Sequence, residues 1–516
     1  MNRRRAVYFL WILGIAALFA AHFVHLSADF PNYSPWMDYS KYTDEGWYGN
    51  AAIRHFNQGS WYMQGDFNPA VALPVWPALL AFIFHFTGVS LIAARVLVLA
   101  IFAANLLLTY LLLRTQEKPW VALFALTVLV ANAFLYAFSR LAILEPLLMC
   151  FLLLSWLLVL RLPRQRSNTQ RYLSLSVIGL LICLMVLTKT TAIFIIPSTL
   201  FLIWHAYGYK FRAALGPLIS VIVAALVPWV VYYLVIVHPH YLSDYHYLFA
   251  ANKWEQPTTF SGWIAAFWYA MHGVLWIDPI LCCVVAALLL ISTLLAPHLW
   301  KNPLVAASLL AAAGYIFFTG WHNNMQPRYY EVVIYPLVFI LSLGVAAFIQ
   351  KQRHTPKYVR LRLLIAASLL IVTVSTFDNL RQIFHYTTHP EYTFVHAAQN
   401  LTHYIDQHPN GNRLLLSISG DNIALVTHLP AICDDFGTWD LPLRIHTYQP
   451  GWYAAWNEID PGTLEDLHTQ YKLEQVASFH AFDDEDRNLL ILYKLHPLPH
   501  PQDYDEALEE QANAGK

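Results

Sequence analysis

Pro69-Ala70-Val71-Ala72-Leu73-Pro74-Val75-Trp76-Pro77-Ala78-Leu79-Leu80-Ala81-Phe82-Ile83-Phe84-His85-Phe86-Thr87-Gly88-Val89 is the stretch on which the membrane layout of this chain turns. At about 20 apolar residues it is long enough to span a bilayer by hydropathy alone. Counting it as a span places Arg114 and Lys118 outside the cytoplasm. It does the same to the cluster Arg161, Arg164, Arg166 and Arg171, to the pair Lys210 and Arg212, and to the run Lys351–Arg362. That layout contradicts the positive-inside rule at one basic loop after another. The run also holds Pro69, Pro74 and Pro77. We therefore read it as an interfacial or re-entrant helix on the outer face, tolerable at membrane depth when packed against protein.

Outward from that stretch, the composition sets the class. The chain has 516 residues, 58% hydrophobic and only 12% charged, far too apolar for a soluble protein. It reads as a polytopic α-helical membrane protein with outer-face juxtamembrane helices and a C-terminal α/β domain. A net charge of -1 offers no basis for nucleic-acid binding. Cys150, Cys183, Cys282, Cys283 and Cys433 follow no metal or redox spacing and imply no disulfide framework. Arg3-Arg4-Arg5 followed by apolar Ala6 to Leu26 reads as an uncleaved first helix with its N-terminus in the cytoplasm.

The spans that follow alternate with the basic loops: residues 92–113, 120–138, 145–162, 172–188, 191–209, 213–237, 276–297, 304–320, 330–349 and 361–377. With the first helix they make about 11, and the C-terminus lies outside. Residues 1–377 form the transmembrane domain, with outer loops at 27–91 and 238–275. Composition shifts at Asp378, and 378–516 reads as an extracytoplasmic α/β domain. A helix is expected at Tyr392–His408, β-type runs at Arg413–Ile418, Gln475–Phe479 and Leu489–Leu495, and turns at Gly420-Asp421-Asn422 and Asp483-Asp484-Glu485-Asp486. The acidic tail from His500 to Lys516 reads as poorly ordered.

In this layout the ionisable residues at the ends of apolar runs fall on one side. They are Asp44 and Glu45 in the first outer loop, Arg140 and Glu145 in Ser139-Arg140-Leu141-Ala142-Ile143-Leu144-Glu145-Pro146, Lys189 after Thr188, and Arg328 before Tyr329. Charges at such depth are expensive and mark function. Adjacent acids cannot share a helix face, which suits one general base with one helper. Cations beside them suit a phosphate diester, arginine as a bidentate fork and lysine as a point charge. Each residue has a bland alternative. Thr43-Asp44-Glu45 is also a helix-start signal, Lys189 and Arg328 are also placed to snorkel, and Arg140 could simply pair with Glu145. His238, His240 and His246 with Asp244 offer imidazoles and a carboxylate for a metal, but their spacing matches no standard motif. The residues call for no cofactor.

In order and content these residues resemble the C-type superfamily of membrane glycosyltransferases, in its protein O-mannosyltransferase-like and aminoarabinose-transferase-like branch. The resemblance runs over roughly residues 6–350. It rests on the ordered set: Asp-Glu in the first outer loop, Gly88-Val89-Ser90-Leu91-Ile92-Ala93-Ala94-Arg95, Ser-Arg…Glu-Pro, Thr-Lys, and Pro327-Arg328-Tyr329-Tyr330. It implies a bacterial inner-membrane enzyme using an undecaprenyl- or other polyprenyl-phosphate sugar as donor, with a lipid, glycan or protein as acceptor. Asp44 would be the base and Glu45 would help position a substrate. Lys189 and Arg328, with Arg140, would bind the donor phosphate, supported by Glu145 and Tyr329. Many relatives carry His-Pro-Pro or Lys-Pro-Pro where this chain has Asn68-Pro69-Ala70, which leaves the phosphate more dependent on Lys189 and Arg328.

The expected reaction is inverting and metal-independent. Two other classes stay open: a translocase for a lipid-linked sugar, which should line a path of charges to both faces, and a non-catalytic assembly protein acting through residues 378–516.

Overall fold

A computed structural model describes residues 3–29, 38, 40, 42–63, 68–250, 257–322, 325–354, 359–433, 441–482, 485 and 487–499. Among the described residues, six helices are long and apolar enough to cross a membrane: Leu91–Arg114, Glu145–Arg164, Asn168–Thr188, Phe211–His240, Pro303–His322 and Pro327–Gln352. At 1.5 Å per residue, about 20 residues match the hydrocarbon thickness. A seventh span is available if Phe260–Trp276 and Pro279–Leu295, bent by 111°, count as one broken crossing. Shorter apolar helices lie at Arg5–Ala21, Val75–Thr87, Pro119–Val130 and Thr190–Ala206. The chain is a multi-pass helical membrane protein.

The Pro69–Val89 stretch forms a 3-10 turn at Pro69–Val71 and then a 13-residue helix, Val75–Thr87. That helix is about 20 Å long, short of the hydrocarbon thickness. Pro74 caps it and Pro77 stands in its first turn, where a missing N–H breaks no bond. Gly88, at φ +70, ends it in a conformation that favours glycine. Ser90 then starts the next helix by accepting the Ala93 N–H. The expected span at 120–138 is broken at Asn132, whose side chain accepts the Leu135 N–H and opens a second short helix, Ala133–Phe138.

Helix Glu331–His354 is the hub: Val332, Val333, Ile334, Tyr335, Val338, Phe339 and Ile340 are all at most 1% exposed. Helix Phe211–Tyr232, by contrast, exposes Ile219, Val223, Leu226 and Val227 and lies at the periphery. The site described below sits at the N-terminal end of the hub.

The composition shift at Asp378 falls inside a continuous 30-residue helix, Val359–Thr388. After it come helix Thr393–Gln407 and a five-stranded sheet of β1 (Leu415–Ser417), β2 (Ala431–Ile432), β3 (Trp452–Trp456), β4 (Tyr471–His480) and β5 (Leu489–Pro497). The strand order is β2-β1-β3-β5-β4, with β1 parallel to β2 and β3, and β5 antiparallel to β3 and β4. The helix and the runs around β1, β4 and β5 fall where their patterning places them. Strand β3, a fully buried Trp-Tyr-Ala-Ala-Trp, was not anticipated, because a buried strand lacks alternation. Gly420-Asp421-Asn422, expected as a turn, instead opens helix Gly420–Thr427. The tail from His500, and Asp483, Asp484 and Asp486 of the second expected turn, lie outside the described residues.

Candidate active site

Asp44 and Glu45 begin a four-residue helix, Asp44–Trp47, every residue of which is buried. Successive side chains on a helix diverge by about 100°, so the two carboxylates face different partners. Glu45 meets Arg95 as a bidentate pair, Nε to Oε1 at 2.8 Å and Nη2 to Oε2 at 2.6 Å, and Oε1 also accepts the Ala142 N–H at 2.8 Å. Arg95 in turn donates to the carbonyls of Leu26 and Ala28. Glu45 therefore ties the loop to two neighbouring segments and has no oxygen to spare.

Asp44 turns to Arg328, whose Nη2 lies 2.7 Å from its carboxylate. The same guanidinium holds Asp38 through Nη1, and the Arg328 backbone N–H donates to Asp38 Oδ2 at 2.9 Å. Asp38 is fixed further by the backbone and hydroxyl of Ser40. Burial pushes the Asp44 carboxyl above the ordinary carboxylate range, opposed by Arg328 and reinforced by the charge of Asp38. That is the environment of a carboxylate with raised proton affinity.

Lys189, between helix Asn168–Thr188 and the 3-10 turn Thr190–Phe194, pairs with Glu145 at the start of helix Glu145–Arg161. Its ammonium lies 4.2 Å from the centroid of the Tyr329 ring, and the Arg328 guanidinium lies 5.0 Å from the same centroid. Both cations thus lie against the same ring. Arg140 stands apart from Glu145. Its Nη2 donates to the carbonyls of Val24 (2.8 Å) and His25 (2.7 Å), and its Nη1 to the Tyr136 hydroxyl, an anchor for the chain leaving the first helix.

Of the residues expected from sequence, Asp44, Arg328, Lys189, Glu145 and Tyr329 gather in one buried cluster, whereas Glu45 and Arg140 serve as ties beside it. Three partners were missed. Arg95 enters the sequence pattern only as the end of Gly88–Arg95, although an arginine in the first turns of an apolar helix is itself a signal. Asp38 has no local signature at all. Glu331 is fully buried, and neither of its oxygens has a hydrogen-bond partner among the described residues. His238, His240 and His246 are exposed, and Asp244 is instead buried against Asn68, whose backbone N–H it accepts at 3.1 Å. Among the described residues no group of three or more His, Cys, Asp or Glu is placed to hold a metal.

Residues 79–243 match the family model of the dolichyl-phosphate-mannose-protein mannosyltransferases. The backbone is similar to that of ArnT from Cupriavidus metallidurans bound to undecaprenyl phosphate, at a TM-score of 0.63 and 14% identity over 95% of this chain and 99% of that one. Taken with the family match, this likeness is to the C-type glycosyltransferase fold. The archaeal oligosaccharyltransferase AglB from Archaeoglobus fulgidus, in complex with an inhibitory peptide and a dolichol-phosphate, shares it at a TM-score of 0.50 and 12% identity over 96% of this chain and 77% of that one. No curated protein matches the sequence significantly. The family match and the C-type fold together indicate a glycosyltransferase.

Proposed function

We propose that this chain transfers a sugar from a polyprenyl-phosphate donor to an acceptor hydroxyl on the extracytoplasmic face of a bacterial inner membrane, with inversion and with Asp44 as base. The observation that carries the reading is the buried Asp44 carboxylate held 2.7 Å from Arg328 in a C-type fold. The acceptor oxygen attacks the anomeric carbon while the bond from that carbon to the phosphate oxygen breaks. Asp44 takes the acceptor proton, and the polyprenyl phosphate leaves with the electron pair. A phosphate is a good leaving group, so no general acid is needed on that side.

Lys189 and Arg328, both against the Tyr329 ring, are assigned to the donor phosphate, Glu145 to holding Lys189, and Arg140 and Glu45 to holding the first outer loop. In this reading the chain crosses the membrane about 11 times with the N-terminus cytoplasmic, consistent with the positive-inside rule. Residues 1–377 form the transmembrane domain and 378–516 an extracytoplasmic domain. A polyprenyl-phosphate donor accords with the undecaprenyl phosphate and dolichol-phosphate of the ArnT and AglB structures.

The test is single-turnover consumption of a panel of radiolabelled polyprenyl-phosphate sugars by detergent-purified wild type and Asp44→Asn, with membrane extract as acceptor and EDTA present. Label should leave the lipid with wild type only. Equal donor binding without consumption by either protein would overturn the reading.

A further inference from the structure

The four-residue helix that carries Asp44 is too short to hold itself in place. Its N-cap residue, Thr43, makes no side-chain cap to the helix. Its hydroxyl is directed at Asp44 Oδ1, 3.3 Å away. The backbone N–H of Gly46, one of the donors a helix start leaves unsatisfied, is capped by the side-chain oxygen of Asn422, a residue 376 positions later in the chain. A cap supplied from so far away makes helix Gly420–Thr427 part of the structure around Asp44.

Three further observations support the same coupling. A Cβ built on Gly46 would collide with backbone atoms of Asp421 and Asn422, so the two helices touch main chain to main chain. In the next helix along, Asn50–Gln58, buried Arg54 lies 3.7 Å from buried Asp421. The Tyr42 ring, just before the acidic pair, meets Phe482 edge-on at 4.9 Å.

We propose that Asn422 is a positioning residue for Asp44, and that the unit built on the C-terminal sheet is thereby a working part of the active site. This rests on the reading of Asp44 as base. Asn422 touches no reacting atom. It fixes the helix whose first residue is Asp44, and a small rotation of so short a helix would carry the carboxylate away from the acceptor hydroxyl.

The experiment compares wild type, Asp44→Asn, Asn422→Ala, Asn422→Ser and Asn422→Asp in full-length purified protein. The substrate is whichever polyprenyl-phosphate sugar the wild type consumes, and undecaprenyl phosphate serves as the binding probe. Asn422→Ala should lower kcat by about 10- to 100-fold while donor KM and undecaprenyl phosphate affinity change less than about threefold. Its pH profile should shift with the displaced carboxyl, and Asn422→Asp, which keeps an acceptor of the same length, should recover most of the rate. If the alanine variant cannot be purified, Asn422→Ser, whose hydroxyl falls short of Gly46, should show the same kcat loss. An unchanged kcat in alanine or serine variants, with Asp44→Asn inactive, overturns the positioning role alone. So does an equal loss of rate and probe binding in all three Asn422 variants. A fully active Asp44→Asn overturns the base assignment and this inference together.

Discussion

The Arg328 guanidinium bridges Asp44 and Asp38, 2.7 Å from the first and hydrogen-bonded to the second, so one fixed cation holds both acids. With Asp44 as base, Asp44→Asn should keep the fold, since the amide preserves shape and one acceptor. It should lower turnover on the order of 100- to 10,000-fold, the usual cost of removing a positioned base. Single-turnover kinetics beside a melting curve would check both halves.

The same bridge predicts a pH dependence with a definite sign. The base must be ionised to act, so activity should fall as pH drops through the Asp44 pKa, which burial holds above the ordinary carboxylate range. Arg328 lowers that pKa and Asp38 raises it. Arg328→Gln should therefore move the acid limb of kcat to higher pH, and Asp38→Asn should move it to lower pH. Shifts of the same sign in both variants would contradict the assignment.

Glu45 should behave as a tie. Both of its oxygens engage Arg95 out of water, and removing one partner of such a buried pair typically costs about 3–5 kcal/mol because the other charge is left unpaired. Arg95→Leu should lower the melting temperature markedly, and Glu45→Gln less so because it keeps one acceptor. Donor KM should change little in Glu45→Gln, measured on the folded fraction.

Lys189 is expected to act on the donor, and Glu145 on Lys189. Lys189→Met should weaken undecaprenyl phosphate binding by about tenfold, which is about 1.4 kcal/mol. Glu145→Gln frees the ammonium and should leave binding equal or tighter. If Lys189→Met weakens only stability, and the double variant restores it, the lysine is a structural counter-ion.

Asp29 gives the C-terminal unit its own pH signature. Its carboxylate accepts the Phe394 and Val395 N–H groups at the start of helix Thr393–Gln407, at 2.8 and 3.2 Å. Burial outweighs those bonds and pushes its pKa from 3.8 to about 6. Between those values the folded chain binds this proton more tightly than the unfolded chain. Its contribution to stability is therefore full at lower pH and is lost as pH rises through about 6. Asp29→Asn should flatten that part of the melting temperature's pH profile.

The sequence by itself determined that this is a multi-pass membrane protein with the candidate charges at the ends of apolar runs. Hydropathy and basic loops are local properties, and the bilayer reads them locally. Asp44, Lys189, Glu145, Arg328 and Tyr329 were legible for the same reason, since an ionisable group beside an apolar run is conspicuous. Only the tertiary structure decided which of two adjacent acids faces Arg328 and which is consumed by Arg95. It likewise separated Arg140 from Glu145, brought Asp38 to the site, and set Asn422 on Gly46. Those pairings link residues up to 376 positions apart, and a hydrogen bond of about 3 Å depends on where packed helices place their side chains, which spacing along the chain does not encode.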